Sequence, residues 1–339
     1  MKKRNFVISL LLCTVLILAS CGGKTGTQPS SSANGGGTER KNEYTIAGGP
    51  QGGNWYGLAG QLVSELKSAM TNYDFAVMPG GGIGNISLTQ NGDADISTTV
   101  AHLYRAATEG KAPYDDGTEF DQLTALANIG TSDSCMIIVR EDIPFDSFQE
   151  LVEAKYPVKL VTTLQSSTPY LGAVRILDEY GVSLETLTSW GGSLQYLDYS
   201  DGCQLISDGH ADGIIAPEVA AIVELATSTP MKILPLDEKV IDNLVEKYGY
   251  SKNFVEAGTY SYYNGEFWSI GEPNILLCRK DLPDDIAYKV CQLISDKPDI
   301  IRGWGTTHAS FDPDHAHEDV GGDLHPGAVK FYTERGNLS

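Results

Sequence analysis

Residues 47–62 read Ala47-Gly48-Gly49-Pro50-Gln51-Gly52-Gly53-Asn54-Trp55-Tyr56-Gly57-Leu58-Ala59-Gly60-Gln61-Leu62. A short apolar run, Tyr44-Thr45-Ile46, precedes them. Trp55, Leu58, Ala59, Leu62, Val63, Leu66 and Ala69 then recur at helical spacing. A strand therefore meets a helix across a turn crowded with glycine. Glycine has no Cβ, so such a turn can take positive φ and let another group come close to its backbone. Asn54 is placed to cap the helix that Trp55 begins. The first amides of that helix lack internal partners and carry the positive end of its dipole, which suits a carboxylate or phosphate. Trp55 and Tyr56 add flat apolar walls with polar tips. A purely structural strand–helix turn is the plainer reading. A nucleotide loop is disfavoured, because neither a Gly-Lys-Ser/Thr ending nor Gly-x-Gly-x-x-Gly occurs here.

The same device returns at Met78-Pro79-Gly80-Gly81-Gly82-Ile83-Gly84-Asn85, between a strand at Phe75–Met78 and a helix near Ile83 to Gln90. A third strand at Ala94–Ser97 leads to Thr98 and Thr99, then to a helix from His102 to Thr108. Strand-helix alternation argues for a parallel sheet with helices on both faces. It resumes at Cys135–Arg140, Lys159–Thr163, a helix from about Pro169 to Tyr180, a helical segment from Gln195 to Ser207, a strand at Gly213–Ala216, a helix at Pro217–Ala226, a strand at Met231–Leu236 and a strand at Ile275–Cys278. Pro283-Asp284-Asp285 opens a further helix, with proline and acids in its first turn. Two α/β units in one chain, with the last strand returning to the first unit, give an α/β, two-lobed molecule with two chain crossings and a cleft. The expected lobes are 42–133 plus 278–339 and 134–277. Gln165-Ser166-Ser167-Thr168 opens a helix in the second unit and would face the glycine turns across that cleft. Hydroxyls at strand ends can bind carboxylate or amide groups without a fixed charge.

The chain has 339 residues and a net charge of −20. Lys2, Lys3 and Arg4 precede an apolar stretch, Phe6–Ala19, too short to span a bilayer comfortably. Leu18-Ala19-Ser20-Cys21 looks like a bacterial lipobox, so residues 1–20 are expected to be a lipoprotein signal peptide and Cys21 the lipidated residue. Residues 21–41 have the composition of a flexible tether. The leader holds three basic residues and no acidic one, so its removal takes the charge to −23. That argues against nucleic-acid binding. Cys135, Cys203, Cys278 and Cys291 show no metal or redox spacing, and their pairing is not legible. His308, His315, His317 and His325 lie among acids near the end. An irregular, solvated loop is favoured there over a divalent-metal site. No nucleophile elbow or zinc-protease helix occurs, so the expectation is a non-enzymatic protein without cofactor or metal.

Ala47-Gly48-Gly49 through Trp55-Tyr56, Pro79-Gly80-Gly81-Gly82 with Asn85, Asn91-Gly92-Asp93-Ala94-Asp95, Glu109-Gly110, Asp208-Gly209-His210-Ala211-Asp212-Gly213 and Leu324-His325-Pro326-Gly327-Ala328-Val329-Lys330-Phe331-Tyr332 follow an ordered pattern. Together they resemble the TAXI-type solute-binding subunits of TRAP (tripartite ATP-independent) transporters, over about residues 44 to 335. The resemblance implies a type II periplasmic-binding-protein-like fold. It also implies capture of a small carboxylate, a glutamate-like amino acid or a dicarboxylate, and delivery to a membrane permease by a monomeric, extracytoplasmic, lipid-anchored protein. The ligand-binding set it implies is Gly52, Gly53, Asn54, Trp55, Tyr56, Gly81, Gly82, Asn85, Ser166, Ser167 and Thr168, to which the strand-end hydroxyls add Thr98 and Thr99. A lipoprotein sensor or an ABC-type receptor is the alternative. Two places depart from the family pattern. Val100 and His102 stand where relatives carry Gln and Asp, and Leu164-Gln165-Ser166-Ser167-Thr168 replaces a Pro-Gly-Ser-Gly-Thr-like turn. Both bear on which solute fits.

Overall fold

The computed structural model describes residues 42–133, 135–305 and 308–338. The leader, Cys13, Cys21 and the tether lie outside them. Among the described residues no helix is long and apolar enough to cross a membrane.

The chain begins with β1 (Glu43–Ala47), α1 (Asn54–Ala69), β2 (Asp74–Met78), α2 (Gly82–Asn91), β3 (Ile96–Val100), α3 (Ala101–Thr108) and β4 (Leu123–Asp133). It then builds a second unit from β5 (Met136–Arg140), α4 (Phe148–Glu153), β6 (Lys159–Thr162), α5 (Thr168–Glu179), α6 (Leu184–Ser189), β7 (Ser193–Tyr196), α7 (Tyr199–Ser207), β8 (Gly213–Ala216), α8 (Ala220–Ser228), β9 (Met231–Leu234) and α9 (Glu238–Tyr248). It returns through β10 (Ser251–Val255) and β11 (Phe267–Arg279) and ends in α10 (Asp284–Asp296), α11 (Asp299–Arg302) and α12 (Pro326–Arg335).

The two sheets repeat one strand order. The first runs β2-β1-β3-β11, with β4 and β10 also on β11, and the second runs β7-β6-β8-β5-β9. In each, the strand that arrives from the other unit, β11 or β5, lies antiparallel to its neighbours, while the pairs around β1 and β6 are parallel. Both sheets are thus mixed, not purely parallel as the alternation suggested. A strand entering from the far lobe runs back along the sheet, and no helical crossover constrains its direction. This is the two-lobed fold of periplasmic binding proteins.

Each sheet carries apolar side chains on both faces. In β11, Leu276 and Cys278 join Leu58, Leu62 and Leu66 of α1 and the faces of α10 and α12. Ile275 and Leu277 point the other way, to Ile86, Leu103 and Tyr104 of α2 and α3. That alternation is the period-two geometry of a strand. The spacing of the three α1 leucines puts them on one stripe of the helix, and full burial of such a side chain contributes about 1.5–3 kcal/mol. The second sheet is covered likewise, by α4, α5 and α9 on one face and α7 and α8 on the other.

Several elements differ from expectation. The third strand starts at Ile96, not Ala94, because Asp95 turns its carboxylate to the Thr45 amide at 2.8 Å and its carbonyl to the Arg279 amide. The helix expected over Gln195–Ser207 splits into edge strand β7 and helix α7. Leu194 and Leu197 mimic helical spacing, yet Leu197 donates its amide to Thr162 O and extends the strand. β4, α9 and β10 were not anticipated. The expected boundary at 277/278 falls inside β11, one continuous strand that pairs with β10 over 267–271 and with β3 over 274–278.

The terminal segment docks through backbone demands. A bulge at Leu126 breaks the β4–β11 register, and Leu126 O accepts from Tyr332 Oη at 3.1 Å and Cys291 Sγ at 3.4 Å. Burial raises the Tyr332 hydroxyl well above its ordinary pKa and pushes the Cys291 thiol up to about 12. The four cysteines among the described residues, Cys135, Cys203, Cys278 and Cys291, are buried free thiols. The histidine-rich segment is not simply a solvated loop. His308 is fully buried with Nδ1 3.1 Å from Ile129 O. His325 is buried too, and its Nδ1 accepts from Gly327 N to cap α12. Only His315 keeps the exposed character expected, paired with Asp312 at 2.8 Å. Among the described residues no histidine, cysteine and carboxylate group is arranged to hold a metal.

Burial pulls the His308 ring down to about 4 and lowers His325 as well. The unfolded chain takes up these protons near pH 6.5 and the folded chain only at lower pH, near 4 at His308, so stability is intact above pH 6.5 and is lost as pH falls. Each ring contributes at most about 1.4 kcal/mol per pH unit in that window. Urea midpoints at pH 7, 6 and 5 should fall steadily. His308→Asn, which keeps a donor for Ile129 O, should flatten the curve; an unchanged slope would show that the ring does not carry the effect.

Candidate functional site

The carboxyl ends of β1, β2 and β3 open on one side of the first sheet, and the turns after β1 and β2 are held to β3 by one side chain. Asn85 Nδ2 donates to Gly48 O at 2.8 Å and to Thr98 O at 2.7 Å, and its Oδ1 accepts from Gly81 N at 3.1 Å. A single buried amide therefore ties the turns after β1 and β2 to the middle of β3. Thr99 Oγ1 donates to Gly82 O at 2.7 Å, adding a second tie.

The first turn closes as a β-turn. Gly53 N donates to Pro50 O at 3.1 Å, and Gly52 takes φ 80° at the third position, as a type II turn requires. Gly53 then precedes α1 in extended conformation, and no side chain caps the helix. A Cβ on Gly53 would stand 3.1 Å from the Tyr199 ring, and one on Gly52 would stand 3.0 Å from Ser200 Oγ. Both neighbours begin α7 in the second lobe. The turn is spare of side chains because the other lobe comes against it.

The second turn makes the same point more strongly. Ile83 N and Gly84 N, the opening amides of α2, donate to Ser166 O at 3.0 and 2.9 Å. A Cβ on Gly81 would meet Ser166 O at 2.7 Å, and one on Gly82 would meet Thr168 Cγ2 at 2.5 Å. Sequence reasoning expected these amides to receive a solute. They receive a carbonyl of the opposite lobe, and the glycines admit that approach.

Between the lobes lies a cavity of about 50 Å³. The first lobe supplies Gly49, Pro50, Gly53, Asn54, Trp55, Gly82 and Val100. Ser167, Thr168, Pro169, Tyr199, Pro217 and Val219 close it from the second, and Ser132, Glu272 and Asn274 of β4 and β11 form its floor. On this measure one water-sized group needs about 10–15 Å³, so the space suits a small solute. Its walls are mostly apolar, with a few polar groups, the usual make-up of a small-molecule site.

Of the thirteen residues nominated from sequence, Gly53, Asn54, Trp55, Gly82, Ser167 and Thr168 reach this cavity. Gly52, Tyr56, Gly81, Asn85, Thr98, Thr99 and Ser166 do not line it. Asn85 and Thr99 are occupied in bracing the turns. Ser167 lines the wall, but its hydroxyl is bonded to Thr163 Oγ1 and donates to Leu164 O at 2.5 Å.

Sequence reasoning missed the floor. β4 and β11 pair across the junction, with Ser132 opposite Glu272 and Thr131 opposite Pro273. An irregularity then leaves Asn274 facing a bulge at Gly130, which takes φ 103°. Asn274 Nδ2 donates to Gly130 O at 3.2 Å and Ser132 Oγ at 3.0 Å. Glu272 is 2% exposed, with Oε2 3.5 Å from His102 Nδ1. Burial drives the His102 ring down to about 3 and keeps it neutral, so this contact is not an ion pair at neutral pH. The available signal was a polar pair, Glu272 and Asn274, flanking Pro273 in an otherwise apolar strand.

A structure described as a periplasmic transporter superposes with a TM-score of 0.52 at 12% identity, over 89% of this chain and 95% of that one. The periplasmic binding protein BugD does so with a TM-score of 0.50 at 14% identity, over 87% and 98%. At such identities the likeness is one of fold. The model of the NMT1-like family matches residues 46–336, nearly the whole described chain, and the protein belongs to that family.

Proposed function

We propose that the protein is the extracytoplasmic solute-binding component of a membrane transporter. It captures a small carboxylate-bearing solute between its lobes and presents it to a permease. The observation that carries this reading is the inter-lobe cavity, lined from both lobes and from the two strands that join them. A site divided in this way is completed only when the lobes close, so binding and closure are one equilibrium and no covalent step is needed. The family, and neighbours described as a periplasmic transporter and a periplasmic binding protein, support the role.

The finer assignment follows the motif resemblance: a TAXI-type subunit of a TRAP transporter, monomeric, held at the membrane by lipid on Cys21. Its solute would be a glutamate-like amino acid or a dicarboxylate, with a carboxylate at the amino end of α1, where amides and the helix dipole favour negative charge. Lipid attachment would keep the soluble lobes at high effective concentration beside the permease.

A melting-temperature screen with acids and amino acids tests the role. A solute at 100 times its Kd should add about 2.7 kcal/mol of stability. No shift with any member at millimolar concentration would refute it. Gly82→Val should leave the melting temperature of the solute-free protein within a few degrees yet weaken binding at least tenfold, since its side chain would drive Thr168 away; unchanged affinity would show that the second turn does not govern closure. Cys21→Ser should move the protein from the membrane to the soluble fraction of cells, and persistence in the membrane would rule out anchoring at that residue.

A further inference from the structure

The cavity has no Lys, Arg or His among its described lining residues. A carboxylate held there must draw its hydrogen bonds from amides and hydroxyls. The uncapped start of α1 offers amides on the first-lobe side. On the second-lobe side the hydroxyls differ in what they have left to give. Ser167 is committed to Thr163 Oγ1 and Leu164 O. Tyr199, the first residue of α7, is placed differently.

Tyr199 is 4% exposed and lines the cavity. It is rooted in the second-lobe core with Met136, Val161 and Cys203. The edge of its ring crosses the divide: a Cβ on Gly53 would stand 3.1 Å from Cε2 and 3.4 Å from Cδ2. Cε2 adjoins the ring carbon that bears the hydroxyl, so the hydroxyl is carried next to the turn from which α1 starts. Among the described residues Tyr199 Oη has no hydrogen-bond partner, yet it is not one of the buried side-chain oxygens sealed from solvent, as Thr98 Oγ1 is. It therefore keeps open surface, and the open space this residue borders is the cavity.

Burial raises the Tyr199 hydroxyl well above its ordinary pKa, so it keeps its proton and can donate. A buried hydroxyl without an acceptor is unfavourable, and a carboxylate oxygen is among the strongest acceptors it can meet. We propose that Tyr199 Oη donates a hydrogen bond to the solute carboxylate that the opening amides of α1 hold from the other side. One oxyanion is then shared between the lobes. The α1 amides hold it in the open cleft, and Tyr199 reaches it only when the second lobe stands against Gly53, so the bond favours closure. It acts on the lifetime of the closed complex and not on first encounter. This inference rests on the reading of the cleft as a carboxylate site and deepens it.

Tyr199→Phe keeps the ring against Gly53 and removes the hydroxyl alone. Native protein and variant should be titrated calorimetrically with glutamate, 2-oxoglutarate, succinate and alanine. Any probe that binds the native protein should bind the variant at least tenfold more weakly. Stopped-flow tryptophan fluorescence, with Trp55 on the cavity wall, should place that loss in faster dissociation and leave association within threefold. The melting temperature without solute should stay within a few degrees, because the hydroxyl bonds no described residue. A smaller loss of affinity, or a loss carried by slower association, would overturn the role of Tyr199 and leave the solute-binding reading intact. A solute-free variant that melts far lower or fails to fold would overturn it too, by showing that the hydroxyl is spent within the protein. Failure of all four probes to bind the native protein would overturn the carboxylate reading and this inference together.

Discussion

The close contact between two glycines and the opposite lobe sets the limits for everything else at the cleft. Gly81 and Gly82 lie where a single added carbon would strike Ser166 O or Thr168 Cγ2. Because they lack that carbon, the amino end of α2 reaches the Ser166 carbonyl and two amides are satisfied across the divide. Net hydrogen bonds of this kind contribute only about 0.5–1.5 kcal/mol each. Such a contact can hold lobes together without locking them, as an equilibrium between open and closed forms requires. Asn85 makes the contact reproducible. By tying the turns after β1 and β2 to β3 through one amide, it fixes where α2 begins.

The two glycine turns are therefore not equivalent, although their sequences look alike. The second is spent on lobe–lobe contact. The first opens an uncapped helix beside the cavity and meets the second lobe through Tyr199 and Ser200. A division of labour follows: α2 begins against the opposite lobe, and α1 begins beside the cavity. Sequence patterning could not separate them, since glycine is needed wherever backbone comes close to anything, be it ligand or protein.

Much of the architecture was readable because it rests on local rules. β1, α1, β2, α2 and α3 followed from helical periodicity and strand–turn–helix alternation. What was not readable depends on distant partners. The direction of β11 is set by strands far away in the chain, and the period-two run Leu123, Ala125, Ala127, Ile129 of β4 is disturbed by bulges that only its pairing explains. β7 was mistaken for helix because Leu194 and Leu197 sit three apart, while an edge position leaves its alternation weak. At the site, residues near the glycine turns could be nominated. The floor could not, because it exists only where two strands 140 residues apart in sequence are paired.

That floor ties the site to the mechanics of the lobes. Glu272 and Asn274 sit on the strand that passes from one lobe to the other, beside the Gly130 bulge whose backbone suits a bend. The walls of the cavity come from separate lobes and its floor from the strands that join them. A change in the angle between lobes would therefore move the walls while the paired strands keep the floor in place, and the cavity would take its full shape only when both walls stand against that floor.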